Sequence, residues 1–412
     1  MSFRDYIPPK NTPRSIELRA SNAYEWAANR CAEPFIKQWS DTWREKWKEP
    51  FKGVTTDGHV RTGLFTLASQ DRDDGAPVDA MVQAANSLLQ VVPESQREAL
   101  RYPIEAPEWR SWMNPEIYMF HHGIRLEEVS DGVVKAIHEV LRASLSSQGY
   151  FKVRGCMEVN RFLGELVEGT KVMNEKSYNF LLFGEPSRTE PWGWQIYGHH
   201  LCMNCFVIRS QMVISPIFMG AEPNIIDEGP EKGLVLFSDQ EDTAVALMQA
   251  LDDDIRGKVC ISAQLSGATV PSWRYHPADQ RHVGGAFQDN RVMPYEGYLV
   301  AKMSTHQQDL TRRLLHLGLN YLPESVLVTR LEEISRHWDE TYFCWIGSFG
   351  PNDAFYYKIH SPVVMMEFDH HSGVFLNNKT PLPFHIHTSV RTPNGNDYGK
   401  MLLRQYLDER HG

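Results

Sequence analysis

The chain has 412 residues, 42% of them hydrophobic and 23% charged, with a formal net charge of −10. That is apolar material enough for one large domain or two to three ordinary ones, and the acidic balance, with no Lys/Arg-rich run, argues against nucleic acid as a partner. No stretch approaches the ~20 apolar residues of a membrane span, and the opening MSFRDYIPPKNTPRS has no apolar core, so a cytoplasmic protein without membrane contact is expected.

In chain order, SIELRASNAYEWAANRCAEPFIKQWSDTWREKW starts at a plausible Ser cap and keeps apolar residues at helical spacing. A Gly/Asp-rich break, SQDRDDGAP, separates it from a second helical run, VDAMVQAANSLLQVV, and a third, ESQREALRYPI. RLEEVSDGVVKAIHEVLRASLSSQGYFKVRGCMEVNRFLGELV reads as two helices parted near Ser146 to Gly149.

From about Lys176 the pattern turns to strands: SYNFLLFGEP, then GWQIYGHHLCMNCFVI paired with QMVISPIFMG around Arg209 and Ser210. DQEDTAVALMQALDD is helical, with carboxylates in its first turn. Residues 263–298 form a long loop rich in Gly, Pro and polar groups, a length typical of lids and binding segments. Two more helices, STHQQDLTRRLLHLGLNYL and ESVLVTRLEEISRHWDE, precede a β-rich end: TYFCWIGSF, AFYYKIH, PVVMMEFDH, GVFL and PFHIHTSVRT. A turn-forming PNGND then leads to a last helix, YGKMLLRQYLDER. The expected class is α+β (mixed α/β): a mainly helical part, 1–175, packed on a strand-rich, mostly antiparallel part, 176–412, in one compact unit.

The six cysteines, Cys31, Cys156, Cys202, Cys205, Cys260 and Cys344, have no disulfide-like rhythm and read as free thiols. Cys202 and Cys205 form a C-x-x-C. On one strand they point to opposite faces and no second pair completes a zinc site, so they read as small buried hydrophobes.

Chemistry collects in three short segments that place polar residues inside apolar strands. They are GHHLCMN, with His199 and His200; VVMMEFDHH, with Glu367 and Asp369; and FHIHTSVR, with His385 and His387. H-x-H on a strand aims two imidazoles at one point, as a divalent ion requires, and E-x-D on a neighbour supplies oxygen ligands or a ligand plus a general base. The three segments, 198–204, 364–369 and 385–391, are therefore expected to converge on one pocket. Arg391 continues the His385/His387 face and is a candidate to hold a carboxylate, of substrate or of Asp397. The pairs His121–His122 and His370–His371 are expected in a loop and a turn, without function. Of Trp192 and Trp194, at least one is expected in the core or pocket wall.

On a regular strand His199 and His200 face opposite ways, so one ion does not easily take both. Either the strand is bulged or ending there, which Gly198 allows, or the two have different jobs, one as ligand and one as its support. Different jobs are preferred, with His200 slightly favoured as the ligand.

The stretches EPWGWQIYGHHL, DETYFCWIG, FYYKIHSPVVMMEFDH and HIHTSVRTPNGNDYGKMLLRQY closely resemble the DUF3500 family of uncharacterised proteins. The resemblance runs from about the EWRSW segment at 108–112 to near the end. It implies that His199, His200, Glu367, Asp369, His385, His387, Arg391 and Asp397 are matching positions, and it carries no agreed reaction. Many members end LLRQHY, whereas this chain reads LLRQYL with Tyr406 at that histidine; if the histidine serves the site, this chain lacks it.

The expected function is a metal-dependent enzyme acting on a small organic molecule. Its metal ligands come from His199, His200, His385 and His387, and its catalytic groups from Glu367, Asp369, Arg391 and Asp397. A divalent zinc or iron ion is the expected cofactor, and hydrolysis is slightly favoured over oxidation at a two-His-one-carboxylate iron. The competing class is a metal-free small-molecule binding protein under a Trp- and Tyr-rich rim. No Walker loop, no G-x-G-x-x-G after a strand and no G-x-S-x-G elbow is present, which demotes nucleotide cofactors and serine-hydrolase chemistry.

Overall fold

The first helical run breaks where the sequence supplies new caps. In the computed structural model it forms three helices, Pro13–Ala20, Ala23–Ala32 and Pro34–Lys48. Asn22 accepts from the Tyr24 and Glu25 amides and opens the second helix; Pro34 opens the third, lacking the amide a continuous helix would need. Further on, helices span Val78–Val91, Glu94–Leu100, Asp131–Ser144 and Ser147–Leu166, the last capped by the Ser146 side chain. Later helices run Ser238–Ala250, Asp253–Val259, Thr305–Leu319, Glu324–Ser335 and Lys400–His411. The structure describes residues 2–69, 73–266, 270 and 273–411; small parts of the Gly/Asp-rich break and of the long loop fall outside these.

The strands are β1 (Arg101–Tyr102), β2 (Ile124–Arg125), β3 (Tyr178–Phe183), β4 (Trp192–Gly198), β5 (Leu201–Ile208), β6 (Gln211–Ala221), β7 (Cys260–Ser262), β8 (Tyr298–Leu299), β9 (Tyr342–Gly347), β10 (Phe355–His360), β11 (Met365–His370) and β12 (Ile386–Arg391). They form one sheet in the order β1-β3-β4-β5-β6-β12-β11-β10-β9-β7, with β2 on β3 and β8 on β9. Pairing is antiparallel except between β1 and β3 and between β7 and β9. Helices come mainly first and strands mainly later, so the class is α+β.

The segment Gly373 to Leu376, expected as a strand, is not one. The amides of Val374, Phe375 and Leu376 all donate to Oε1 of buried Glu222, at 2.9, 3.1 and 2.9 Å, so they never enter a ladder.

The two faces of the sheet differ in chemistry. Register sets Tyr357, Phe368, Thr388 and Met219 in one row and Ile359, Met366, Val390 and Ile217 in the next. These rows, apart from Thr388, are apolar and pack on the helices Asp131–Ser144, Ser147–Leu166 and Thr305–Leu319. Trp192 and Trp194 are fully buried on this face, and Trp194 Nε1 donates to Ser144 Oγ at 2.9 Å. The opposite rows carry Tyr356, Asp369, His387 and Gly220, then Lys358, Glu367, Ser389 and Phe218. This second face is polar and yet buried. Loop residues 281–289 and an aromatic layer including Trp109, Trp112, Phe287 and Tyr398 cover it.

All six cysteines are free, with Cys202 in the aromatic layer and Cys205 in the helix-side core. Among the described residues, no helix is long and apolar enough to cross a membrane.

Candidate metal centre

Gly198 pairs with Leu201, so His199 and His200 are the two-residue turn joining β4 to β5, not strand residues. His200 has φ 58°, the left-handed region that a non-glycine residue adopts at a cost of about 1–2 kcal/mol. The turn cancels strand alternation: the two rings lie side by side, centroids 3.9 Å apart and 25° from parallel. Their partners nevertheless differ. His199 Nδ1 bonds to Asn160 Oδ1 at 2.8 Å, on the helix Ser147–Leu166. His200 turns towards β12, and Gly220 opposite His387 makes room for it: a Cβ there would meet His200 Cδ2 at 2.9 Å and Ile386 O at 2.6 Å.

His200 Nε2 lies 3.0 Å from His385 Nε2 and 3.2 Å from His387 Nε2. Among the described residues these three are the one group of three or more His, Cys, Asp or Glu side chains converging closely enough to hold a metal ion. Metal–nitrogen distances of ~2.0–2.1 Å set tetrahedral ligand nitrogens roughly 3.3–3.4 Å apart, so the observed spacing needs little adjustment. Hydrogen bonds alone do not satisfy it. His385 Nδ1 sits 2.8 Å from the Ser372 carbonyl, which only accepts, so a neutral His385 ring carries its proton there and presents a bare lone pair at Nε2. A proton on His200 Nε2 can point at only one of its two neighbours; a cation serves all three nitrogens. Burial, reinforced by the neighbouring imidazoles, pushes His200 and His387 well below the usual histidine range and His199 down to about 4, which keeps them neutral.

The expected carboxylates lie on the same face, but not among these nitrogens. Glu367 accepts from the amides of Val283 and Gly284 at 2.8 and 2.6 Å, from the Tyr356 hydroxyl at 2.5 Å and from Ser389 Oγ at 3.0 Å. Burial alone would raise its pKa; His282, Tyr356 and Arg274 outweigh burial and hold it below the usual range. Asp369 takes Arg281 Nε on Oδ1 at 2.9 Å, and its buried Oδ2 has no partner. Its pKa is raised by burial, against the pull of Arg281.

Arg391 donates to the carbonyls of Gly284 and Gly285 at 2.8 and 2.6 Å, to Asp289 at 2.6 Å and to Asp397 at 3.1 Å. Asp397, one of the two carboxylates anticipated for it, is thus in contact. Asp397 also accepts from Ser215 Oγ and the Thr392 amide, at 2.6 and 2.7 Å. Together Glu367, Asp369 and Arg391 strap residues 281–289 to the polar sheet face, and Asp397 backs Arg391. Gly284 fits this contact because a Cβ would meet Met365 Cε at 2.4 Å and Glu367 Oε2 at 2.8 Å.

Two histidines that no strand pattern singled out line the same space. His371 pairs with His385 by its amide, and its ring lies 4.9 and 4.7 Å from those of His385 and His387; both its nitrogens face carbonyls, of Ser372 and Ala278. The His282 ring is 5.3 Å from that of His387, and neither of its buried nitrogens has a partner. His371 had a signal, one residue past E-F-D-H; His282, in a loop without periodicity, had none. His370 turns to the other face and bonds Glu241 at 2.8 Å, and His121 bonds the Tyr118 carbonyl at 3.0 Å. Tyr406 pairs with Glu190 and Arg410, away from the histidines.

No curated protein and no solved structure matches the chain. A family described as "Protein of unknown function (DUF3500)" matches it over residues 74–400, a span that includes every histidine of the centre and the strap. The chain belongs to the DUF3500 family.

Proposed function

We propose that the protein is a metal-dependent enzyme acting on a small organic molecule, with His200, His385 and His387 as ligands of one divalent ion. The observation that carries this reading is the convergence of three buried Nε2 atoms, that of His200 lying 3.0 Å from His385 and 3.2 Å from His387. Three imidazoles without a carboxylate favour zinc and hydrolytic chemistry over a two-His-one-carboxylate iron. Such an ion lowers the pKa of a bound water towards 7. On this reading His199 supports His200 by stacking, and Asp369, directly across the ladder from His387, is the carboxylate placed to support that ring; its Oδ2 and the ring's Nδ1 are both buried without a partner. His282, with both nitrogens free, is the group available to a bound water or substrate.

Elemental analysis of freshly purified protein tests the reading. The expected result is close to one equivalent of zinc, lost in His385→Ala/His387→Ala. Protein that is metal-free as isolated and does not take up zinc, or a double variant that keeps its metal, would overturn it.

A further inference from the structure

The helix Pro34–Lys48 and loop residues 273–291 line a recess of about 430 Å³ that none of the three converging histidines borders. That falls within the range of small-molecule sites. Its lining mixes polar and charged side chains with a group of aromatic ones. Trp43 stacks on Phe287 with centroids 4.7 Å apart and meets Trp39 at 4.1 Å with the planes tilted by 53°, and Trp273 and Tyr275 join them from the loop.

Two details say what such a recess would hold. The indole N–H groups of Trp39 and Trp43 are buried without a hydrogen-bond partner, and Trp43 as a whole is 1% exposed. An unpaired buried donor costs about 1–3 kcal/mol, so the recess asks for acceptors. The charged rim, in contrast, is balanced: Lys46 and Arg291 stand against Glu49 and Asp279. Both cations are already engaged, Lys46 with Gln288 at 3.1 Å and Arg291 with the Trp273 carbonyl at 2.6 Å. A charged ligand thus gains no net attraction, and a purely apolar one leaves the indole donors unpaired. Trp273 keeps 43% of its surface exposed, a flat apolar face open to a ring.

We infer that this recess binds a neutral, polyhydroxylated ring compound, that is, a sugar unit, whose apolar face stacks on the tryptophans and whose hydroxyls accept from their N–H groups. The inference does not depend on a metal at the histidines.

Titration of the full-length protein with cellotriose, maltotriose and chitotriose, followed by calorimetry and tryptophan fluorescence, tests it. At least one sugar is expected to bind and change the emission. Trp273→Ala and Trp39→Ala should each weaken that sugar about tenfold or more, with metal content unchanged. Trp39→Phe, which keeps a ring and removes the N–H, should weaken it less, and it replaces the alanine variant if that one melts early. Three outcomes would each overturn the proposal: no binding of any of the three sugars at millimolar concentration, binding indifferent to the tryptophan variants, or binding of indole-3-acetamide, a flat neutral aromatic without hydroxyls, in preference to the sugars.

Discussion

His199 and His200 show how much one residue's place decides. They are neighbours in sequence and their rings stack, yet one is held by Asn160 and the other meets two histidines from β12 and the residue before it. If His200 is a ligand and His199 its support, His200→Ala abolishes metal retention whereas His199→Ala leaves it measurable; competition with a chelator reads both. Asp369→Asn keeps the shape and loses the charge facing His387, and should weaken zinc by roughly 10–100-fold. Equal, complete loss in all three variants would mean that the whole pocket collapses and would void the division of labour. Gly220→Ala is the control for space: its Cβ would meet Ile386 O at 2.6 Å, a backbone atom that cannot easily retreat, so His200 is displaced although no ligand is removed. Metal content should fall with it.

At the scale of elements, the strap is the unusual part. Residues 281–289 have no regular structure and are pinned to the polar sheet face by side chains. Glu367→Gln replaces an acceptor by a donor facing the Val283 or Gly284 amide, leaving a buried group unpaired at about 1–3 kcal/mol. Hydrogen exchange at those two amides should quicken about tenfold or more, with the amides of β4 and β5 unchanged. Arg391→Met leaves Asp397 buried without its guanidinium and Asp289 with Arg110 alone, and breaking such a buried pair costs about 3–5 kcal/mol. The variant is expected to melt well below the parent; equal melting temperatures would show that the arginine is dispensable to the strap. Sequence patterning found β11 and β12 because a strand between two packed layers keeps its period. It missed the breaks at Asn22 and Pro34, where cap chemistry overrode an apolar spacing that ran straight through.

For the whole molecule, burying so many imidazoles has a consequence in pH. Burial lowers His138 to about 4 and pushes His200, His360, His371 and His387 well below the usual range. A histidine whose folded pKa is depressed binds its proton more readily in the unfolded chain. Stability is then full above the unfolded value of about 6.5 and falls as pH drops towards the folded one. His138, which is 8% exposed, contributes up to about 3 kcal/mol of this loss by itself. Melting temperature should therefore drop between about pH 7 and pH 5, and His138→Leu should lose less over that interval than the parent. A parallel pH profile for parent and variant would assign the acid sensitivity elsewhere.

By itself the sequence determined the α+β class, most of the helices and strands, and the identity of the polar pairs on and beside β11 and β12, because these rest on local periodicity and on residue chemistry. It also determined the family, through long specific motifs. Only the tertiary structure decided which of those polar residues meet. The turn at His199–His200 set the GHH pair beside β12, and the strand order put β6 between β5 and β12 so that Gly220 could make room. Hydrogen-bond partners divided the candidates into three converging imidazoles, His199 held by Asn160, three groups that strap a loop, and Asp397 behind Arg391. The partners in the strap come from Val283, Gly284, Arg281 and Asp289, about eighty to a hundred residues away in the chain. Periodicity carries no information across such a distance. His282 makes the same point: nothing in its surroundings in sequence marks it, and only the folded loop brings its unpaired nitrogens beside His387.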